Sequence, residues 1–192
     1  MPSKIIATLD PHRLGDKLVL SGGNLIVTCT DVADIHRAVF GTIAQGAGIS
    51  AFTCYFFSNS QPSAGLANLC SVGVAEVGSS LAKYVGEEST SFGLRPTEAA
   101  VYNNNASISG SADPPIQPTA ERQCIGVLLD QTVSPALCVW TVNGSVVFQA
   151  TLGSGKFYVP AVSIGSSTPE DVSAQLNFGQ SLLDFPIFSV LK

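Results

Sequence analysis

Charge is scarce in this 192-residue chain. Only 12% of its residues are Asp, Glu, Lys or Arg, against a usual share of about 25%. Nine basic side chains face 14 acidic ones, a net charge of −5. A duplex nucleic-acid binder needs a basic face to neutralise phosphates, so no nucleic-acid partner is expected. Histidine is nearly missing, with His12 and His36 the whole supply. No C-x-x-C, P-loop, G-x-S-x-G or H-E-x-x-H spacing occurs, and such spacings are how zinc, phosphate and nucleophile chemistry announce themselves. No catalytic residue, metal or cofactor is therefore expected. No apolar run approaches the roughly 18 residues of a membrane-spanning helix, so no membrane insertion is expected. The opening Met1-Pro2-Ser3-Lys4-Ile5-Ile6 lacks the apolar core of a secretory signal, which predicts synthesis in a cytoplasm without general export.

Apolar residues, by contrast, make up 45% of the chain. That is enough to build a core and excludes whole-chain disorder. The five cysteines (Cys29, Cys54, Cys70, Cys124 and Cys138) are odd in number, widely spaced and mostly set among apolar neighbours. They read as buried, reduced thiols acting as small core hydrophobes.

The apolar residues fall in short runs divided by turns. Strands are predicted over Leu18–Leu20, Leu25–Thr30, Arg37–Ala44, Ala51–Phe57, Leu69–Val77, Gln123–Asp130, Ala136–Val142, Ser145–Leu152, Phe157–Ile164 and Val172–Phe178. Asn143-Gly144 is a strong hairpin signal, because both residues accept the positive φ of a type I′ turn. Ser21–Asn24, Gly153–Lys156 and Ser166–Glu170 are further turns, and no ten-residue window shows a 3.6-residue period. Eleven Pro and 18 Gly fit the same picture. The fold class is all-β, a bent antiparallel two-sheet sandwich or jelly roll, in one domain over residues 1–192 with its core at about 6–186. Asn103–Thr119, with Pro114, Pro115 and Pro118, reads as a long surface loop that holds a short strand at Ala106–Ser109. Glu87–Ser91 is a shorter polar loop. Asp10-Pro11-His12-Arg13 reads as a turn-like opening, and His36 begins a strand.

Phe52, Phe56, Phe92, Phe148, Phe178 and Trp140 sit among alternating apolar residues and are predicted to be core. Cys138, Trp140 and Val142 share one strand face. Two acidic pairs, Glu87-Glu88 and Glu170-Asp171, are the material a glycosidase would use, but it needs two carboxyls converging across a sugar, about 5–10 Å apart. Adjacent loop acids point apart into water. Calcium by the same loops has no D-x-D-x-D spacing behind it. Tyr84, Tyr102 and the triple Asn103-Asn104-Asn105 are of the residue types that make adaptable contacts at interfaces.

Four phrases then stand in order: Ile125-Gly126-Val127-Leu128-Leu129-Asp130, Val139-Trp140-Thr141-Val142-Asn143-Gly144, Tyr158-Val159-Pro160-Ala161-Val162-Ser163-Ile164 and Gln175-Leu176-Asn177-Phe178-Gly179. They resemble the C-terminal half of a SPRY (B30.2-like) domain. Leu9-Asp10-Pro11, Leu20-Ser21-Gly22-Gly23, Cys54-Tyr55-Phe56-Phe57, Val72-Gly73-Val74-Ala75 and Ser91-Phe92-Gly93-Leu94-Arg95 resemble its N-terminal half. The resemblance implies a concanavalin-like sandwich that is not enzymatic and grips partners with loops at one edge. By position, the candidate rim is the loops Tyr84–Ser91 and Tyr102–Thr119, with Tyr84, Glu87, Glu88, Tyr102, Asn103, Asn104 and Asn105. The standalone form is similar to bacteriophage virion proteins. The leading expectation is a structural or attachment component of a virus particle: a capsid decoration, fibre or tail module that binds virion proteins or a host-surface receptor or glycan. Self-association is left open. The alternative is a soluble, cytoplasmic adaptor that captures a short peptide in its edge loops.

Overall fold

A computed structural model describes residues 7–30, 37–42, 48–58, 70–96, 98, 100–108, 124–165 and 172–178. Among the described residues there are strands and turns and no helix. The strands are β1 (Leu9–Leu14), β2 (Leu18–Ser21), β3 (Ile26–Cys29), β4 (Arg37–Gly41), β5 (Ile49–Ser58), β6 (Cys70–Glu76), β7 (Ser91–Arg95), β8 (Ala100–Asn103), β9 (Ala106–Ser107), β10 (Ile125–Asp130), β11 (Leu137–Val142), β12 (Ser145–Thr151), β13 (Tyr158–Ile164) and β14 (Val172–Asn177). They form two seven-stranded antiparallel sheets. The first runs β1-β4-β13-β6-β7-β8-β9 and the second β12-β11-β10-β5-β14-β3-β2. The all-β antiparallel sandwich is as predicted.

Alternation explains the main core. Val72 and Val74 of β6, Tyr158, Val162 and Ile164 of β13, Val127 and Leu129 of β10, Phe52 and Cys54 of β5, and Ala174 and Leu176 of β14 all meet between the sheets. Members of each set stand two or four residues apart, because successive strand side chains point to opposite faces. Cys138 and Trp140 are fully buried on one face of β11, with Val142 packed beside them. The Trp140 indole Nε1 donates to the Val72 carbonyl at 3.1 Å, which ties β11 to β6 across the sandwich. Phe52 is fully buried, while Phe56, Phe92, Phe148 and Phe178 pack against the core from its margin. The five cysteines are thiols, and all but Cys124 are buried. Burial pushes the Cys54, Cys70 and Cys138 thiols up, since a thiolate loses its hydration there.

Asn143-Gly144 makes the predicted hairpin between β11 and β12, with φ of 49° and 84°. Asn143 also locks the neighbouring strand: its N–H donates to the Cys124 carbonyl and its Oδ1 accepts from the Cys124 N–H.

Three expectations change. Asp10-Pro11-His12-Arg13 lies inside β1, not in a turn before the sheet. Proline is tolerated there because β1 is an edge strand whose register breaks between Leu9 and Leu14. The turn chemistry survives locally, with the Asp10 Oδ1 accepting from the His12 N–H at 2.9 Å. Second, β7 and β8 were not predicted. Gly93 and Arg95 interrupt the apolar pattern of one, and the other runs straight into the triple Asn. Third, the loop assigned to 103–119 starts one residue later, since Asn103 ends β8, while the short strand expected at Ala106–Ser109 is present as β9 over Ala106–Ser107. The rest of that loop, with Pro114, Pro115 and Pro118, lies outside the described residues. So do His36, the Glu170-Asp171 pair and the ends of the runs at Ala44, Leu69 and Gln123.

Candidate binding rim

The rim begins with a loop that has its own reason to stay down. β4, β6 and β13 are buried on both faces. Ala38, Phe40, Ala75, Val159 and Ala161 point away from the main core and form a second apolar cluster with Val85, against which Leu81 packs. The cover is the β6–β7 loop, residues 77–90. Hydrogen bonds clamp it at Val85, whose N–H donates to the buried Ser163 Oγ at 3.1 Å and whose carbonyl accepts from the buried Ser71 Oγ at 2.7 Å. Gly93 makes the approach feasible, because a Cβ there would stand 2.1 Å from the Val85 carbonyl oxygen. The loop is then closed on itself. Ser79 Oγ donates to the Thr90 carbonyl, and Gly86 N–H donates to Ser91 Oγ at 2.8 Å.

The turn between β8 and β9 docks on this loop. Asn104 and Asn105 both hold positive φ, 52° and 55°, a conformation Asn tolerates better than most residues. Their N–H groups donate to the Glu88 and Gly86 carbonyls at 3.2 and 3.0 Å. The Asn103 amide donates to the Ser89 and Ser91 carbonyls. Two loops distant in sequence are thus zipped together by main-chain bonds.

All seven predicted rim residues fall in this one patch. Glu87 and Glu88 do not converge. Glu87 accepts from the Tyr84 N–H at 3.1 Å and pairs with Lys83 at 2.5 Å. Glu88 accepts from the Ser80 N–H at 3.2 Å. Among the described residues no three His, Cys, Asp or Glu side chains gather as a metal site would require.

The residue missed from sequence is Arg95. Leu94 turns into the core, so Arg95 turns outward, and its guanidinium carbon lies 3.9 Å from the Tyr102 ring centroid and 5.4 Å from that of Tyr84. Its Nη2 donates to the Asn105 Oδ1 at 2.9 Å, and its Nη1 lies 3.5 Å from Glu98. The Tyr102 hydroxyl donates to the other Glu98 oxygen. That bond, and then partial burial, raise the phenol above its ordinary value. Arg95 Nε is buried with no hydrogen-bond partner among the described residues. Its side chain is only 15% exposed. The sequence signal was a lone arginine two residues beyond a glycine, too common a pattern to single out. A shallow cleft lined by Phe40, Ser79, Ser80, Lys83, Tyr84 and Ser91 adjoins the patch.

No family model and no curated protein sequence matches the chain. Solved structures do. The SPRY domain of human HERC1 aligns with a TM-score of 0.64 at 16% identity, covering 90% of this chain and 99% of that one. A human SPRY domain aligns at 0.61 and 15% identity, covering 86% and 98%. The PSpry domain of TRIM65 aligns at 0.62 and 14%, covering 90% and 92%. The chain therefore has the SPRY fold.

Proposed function

We propose that the chain is a non-enzymatic protein-binding module that captures a short segment of a partner on the rim of Tyr102 and the exposed Asn104-Asn105 turn, with Arg95 and the buried Tyr84 packed beneath them. The observation that carries this reading is the guanidinium of Arg95 placed against two tyrosine rings and braced by Asn105 and Glu98. The cation packed among these rings and amides holds the half-buried Tyr102 and the exposed Asn104-Asn105 turn in place as a pre-ordered contact surface. The loops beneath it are already hydrogen-bonded, so a partner meets little ordering cost. The SPRY-domain likenesses support a binding scaffold over a catalytic one, and so does the engagement of Glu87 and Glu88 with separate main-chain donors. The local charges pair with one another, so capture is expected to change little with salt.

A selected peptide binder tests this. It should saturate at one site per chain, with affinity falling at least about tenfold in Arg95→Ala and Tyr102→Ala while the thermal transition is kept. Wild-type affinity retained in both variants, or a steep salt dependence, would overturn it. The second reading is a structural or attachment component of a virus particle, made in a host cytoplasm. Low overall charge favours it, and the SPRY-domain likenesses do not bear on it, so the adaptor reading leads. Quantitative mass spectrometry of purified particles separates the two, since a particle component is present in fixed, high copy number.

A further inference from the structure

Asn143 is the one asparagine in the chain that precedes a glycine, and every other is followed by a residue with a Cβ. It is exposed at the tip of the β11–β12 hairpin. The two ends of its amide are treated differently. Oδ1 accepts from the Cys124 N–H at 3.0 Å, while Nδ2 makes no hydrogen bond among the described residues. A donor on Oδ1 draws electrons from Cγ and steadies an oxygen that gains charge there. A nitrogen with no partner is free to leave.

The backbone supplies a nucleophile. Positive φ at both residues makes this a type I′ turn. A two-residue hairpin loop has a second arrangement, type II′, with positive φ at the first residue only. Rotating the peptide between Asn143 and Gly144 interconverts the two. Asn143, at 49°, already fits the first position of both, and glycine accepts either sign of φ at the second. The pairing of Val142 with Ser145 is kept. In type II′ the first residue has ψ of about −120°. That angle carries the Gly144 nitrogen to the side of the Cα–C bond that bears Cβ, within ring-closing reach of Cγ. No side chain at residue 144 obstructs the approach.

We propose that Asn143 is a self-modification site, at which the folded hairpin converts asparagine to aspartate and isoaspartate. The Gly144 nitrogen gives its proton to hydroxide and bonds to Cγ. The Cγ–Nδ2 bond breaks, and Nδ2 takes a proton from water and departs as ammonia. Water then opens the five-membered imide at either carbonyl. Attack at Cγ restores the ordinary main chain with aspartate at position 143. Attack at the main-chain carbonyl reroutes the chain through Cβ and Cγ as isoaspartate. The aspartate keeps an acceptor for the Cys124 N–H, now a charged and stronger one. The isoaspartate adds a carbon to the main chain and breaks the lock between the turn and Cys124. The rim lies on the other sheet and takes no part.

The test is incubation of the folded full chain in mildly acidic and mildly alkaline buffer, with aspartate and isoaspartate measured at each asparagine by peptide mass spectrometry. Position 143 should convert first, and faster in the alkaline buffer, where the Gly144 nitrogen loses its proton more readily. The isoaspartate fraction should show faster amide exchange in β12. Gly144→Asn keeps the turn, since Asn104 and Asn105 already hold two successive positive φ values in this chain. It places a Cβ in the path of attack, so conversion at position 143 should slow at least about fivefold. A folded wild type in which Asn143 stays an amide while the urea-unfolded chain converts would overturn the proposal. So would a Gly144→Asn variant that converts at position 143 as fast as wild type, or a different asparagine converting first.

Discussion

The space between the sheets and the outer face of the first sheet are both buried, but by different means. Between the sheets, large apolar side chains from many strands interdigitate, with Trp140, Tyr158, Phe52 and Leu129 at most 1% exposed. Area removed from water stabilises that region, at about 25 cal/mol per Å². On the outer face, small residues such as Ala38, Ala75 and Ala161 leave room for a loop, and the loop is held at Val85 by two serine hydroxyls over a glycine. There the stability comes from hydrogen bonds whose buried partners are costly to leave unmade. The first region should tolerate changes of detail and fail on loss of volume. The second should fail on the addition of a single carbon.

The largest effect expected is in the main core. Trp140→Ala should cost about 3–5 kcal/mol, read as a shift of the whole denaturant transition. A loss well below about 1 kcal/mol would place the indole outside the core. Gly93→Ala should cost about 1–3 kcal/mol, as overpacking does, since its Cβ would overlap the Val85 carbonyl oxygen and the Ser71 hydroxyl. Amide exchange should then rise in residues 77–90 before the main core loosens. If both regions open together, the distinction between them is wrong.

Gly144→Val tests the turn instead of either core. With φ of 84° at that position, a β-branched residue is strained by about 1–3 kcal/mol. An unchanged stability curve would mean the hairpin register is wrong. The smallest effect concerns Tyr102. Its pKa is raised above the ordinary 10.0 by the hydrogen bond to Glu98 and then by burial. A raised folded-state value means stability that is full below the unfolded value and lost as pH rises through the folded one. Wild type should therefore lose a little stability above about pH 10, the ordinary tyrosine value, and Tyr102→Phe should flatten that part of the profile. An identical alkaline slope in both proteins would remove Tyr102 as its source.

Much of the sandwich was legible before any coordinates. Every predicted strand is present where the chain is described, because a half-buried strand writes its period of two into consecutive residues. Asn143-Gly144 was legible for a similar reason: positive φ at two successive positions is local chemistry. The failures have a common cause. β1 was read as a turn because proline and Asp10 carry turn signals, and only its place at a sheet edge makes them harmless. β7 was obscured because Gly93 looks like a break when the Val85 carbonyl above it is out of view.

The candidate site divides the same way. Local sequence marked Tyr84, Glu87, Glu88, Tyr102 and the three asparagines, since aromatic and amide residues in polar loops are conspicuous. It could not mark Arg95, whose meaning depends on rings eleven positions before it and seven after. Composition and periodicity settled the all-β class, the reduced cysteines, the hairpin and most of the core, because each follows from neighbours in the chain. Which strands became edges, which face a loop could cover, and which arginine would meet two tyrosines were decided only when distant segments packed. Those outcomes depend on contacts between residues that no local pattern relates.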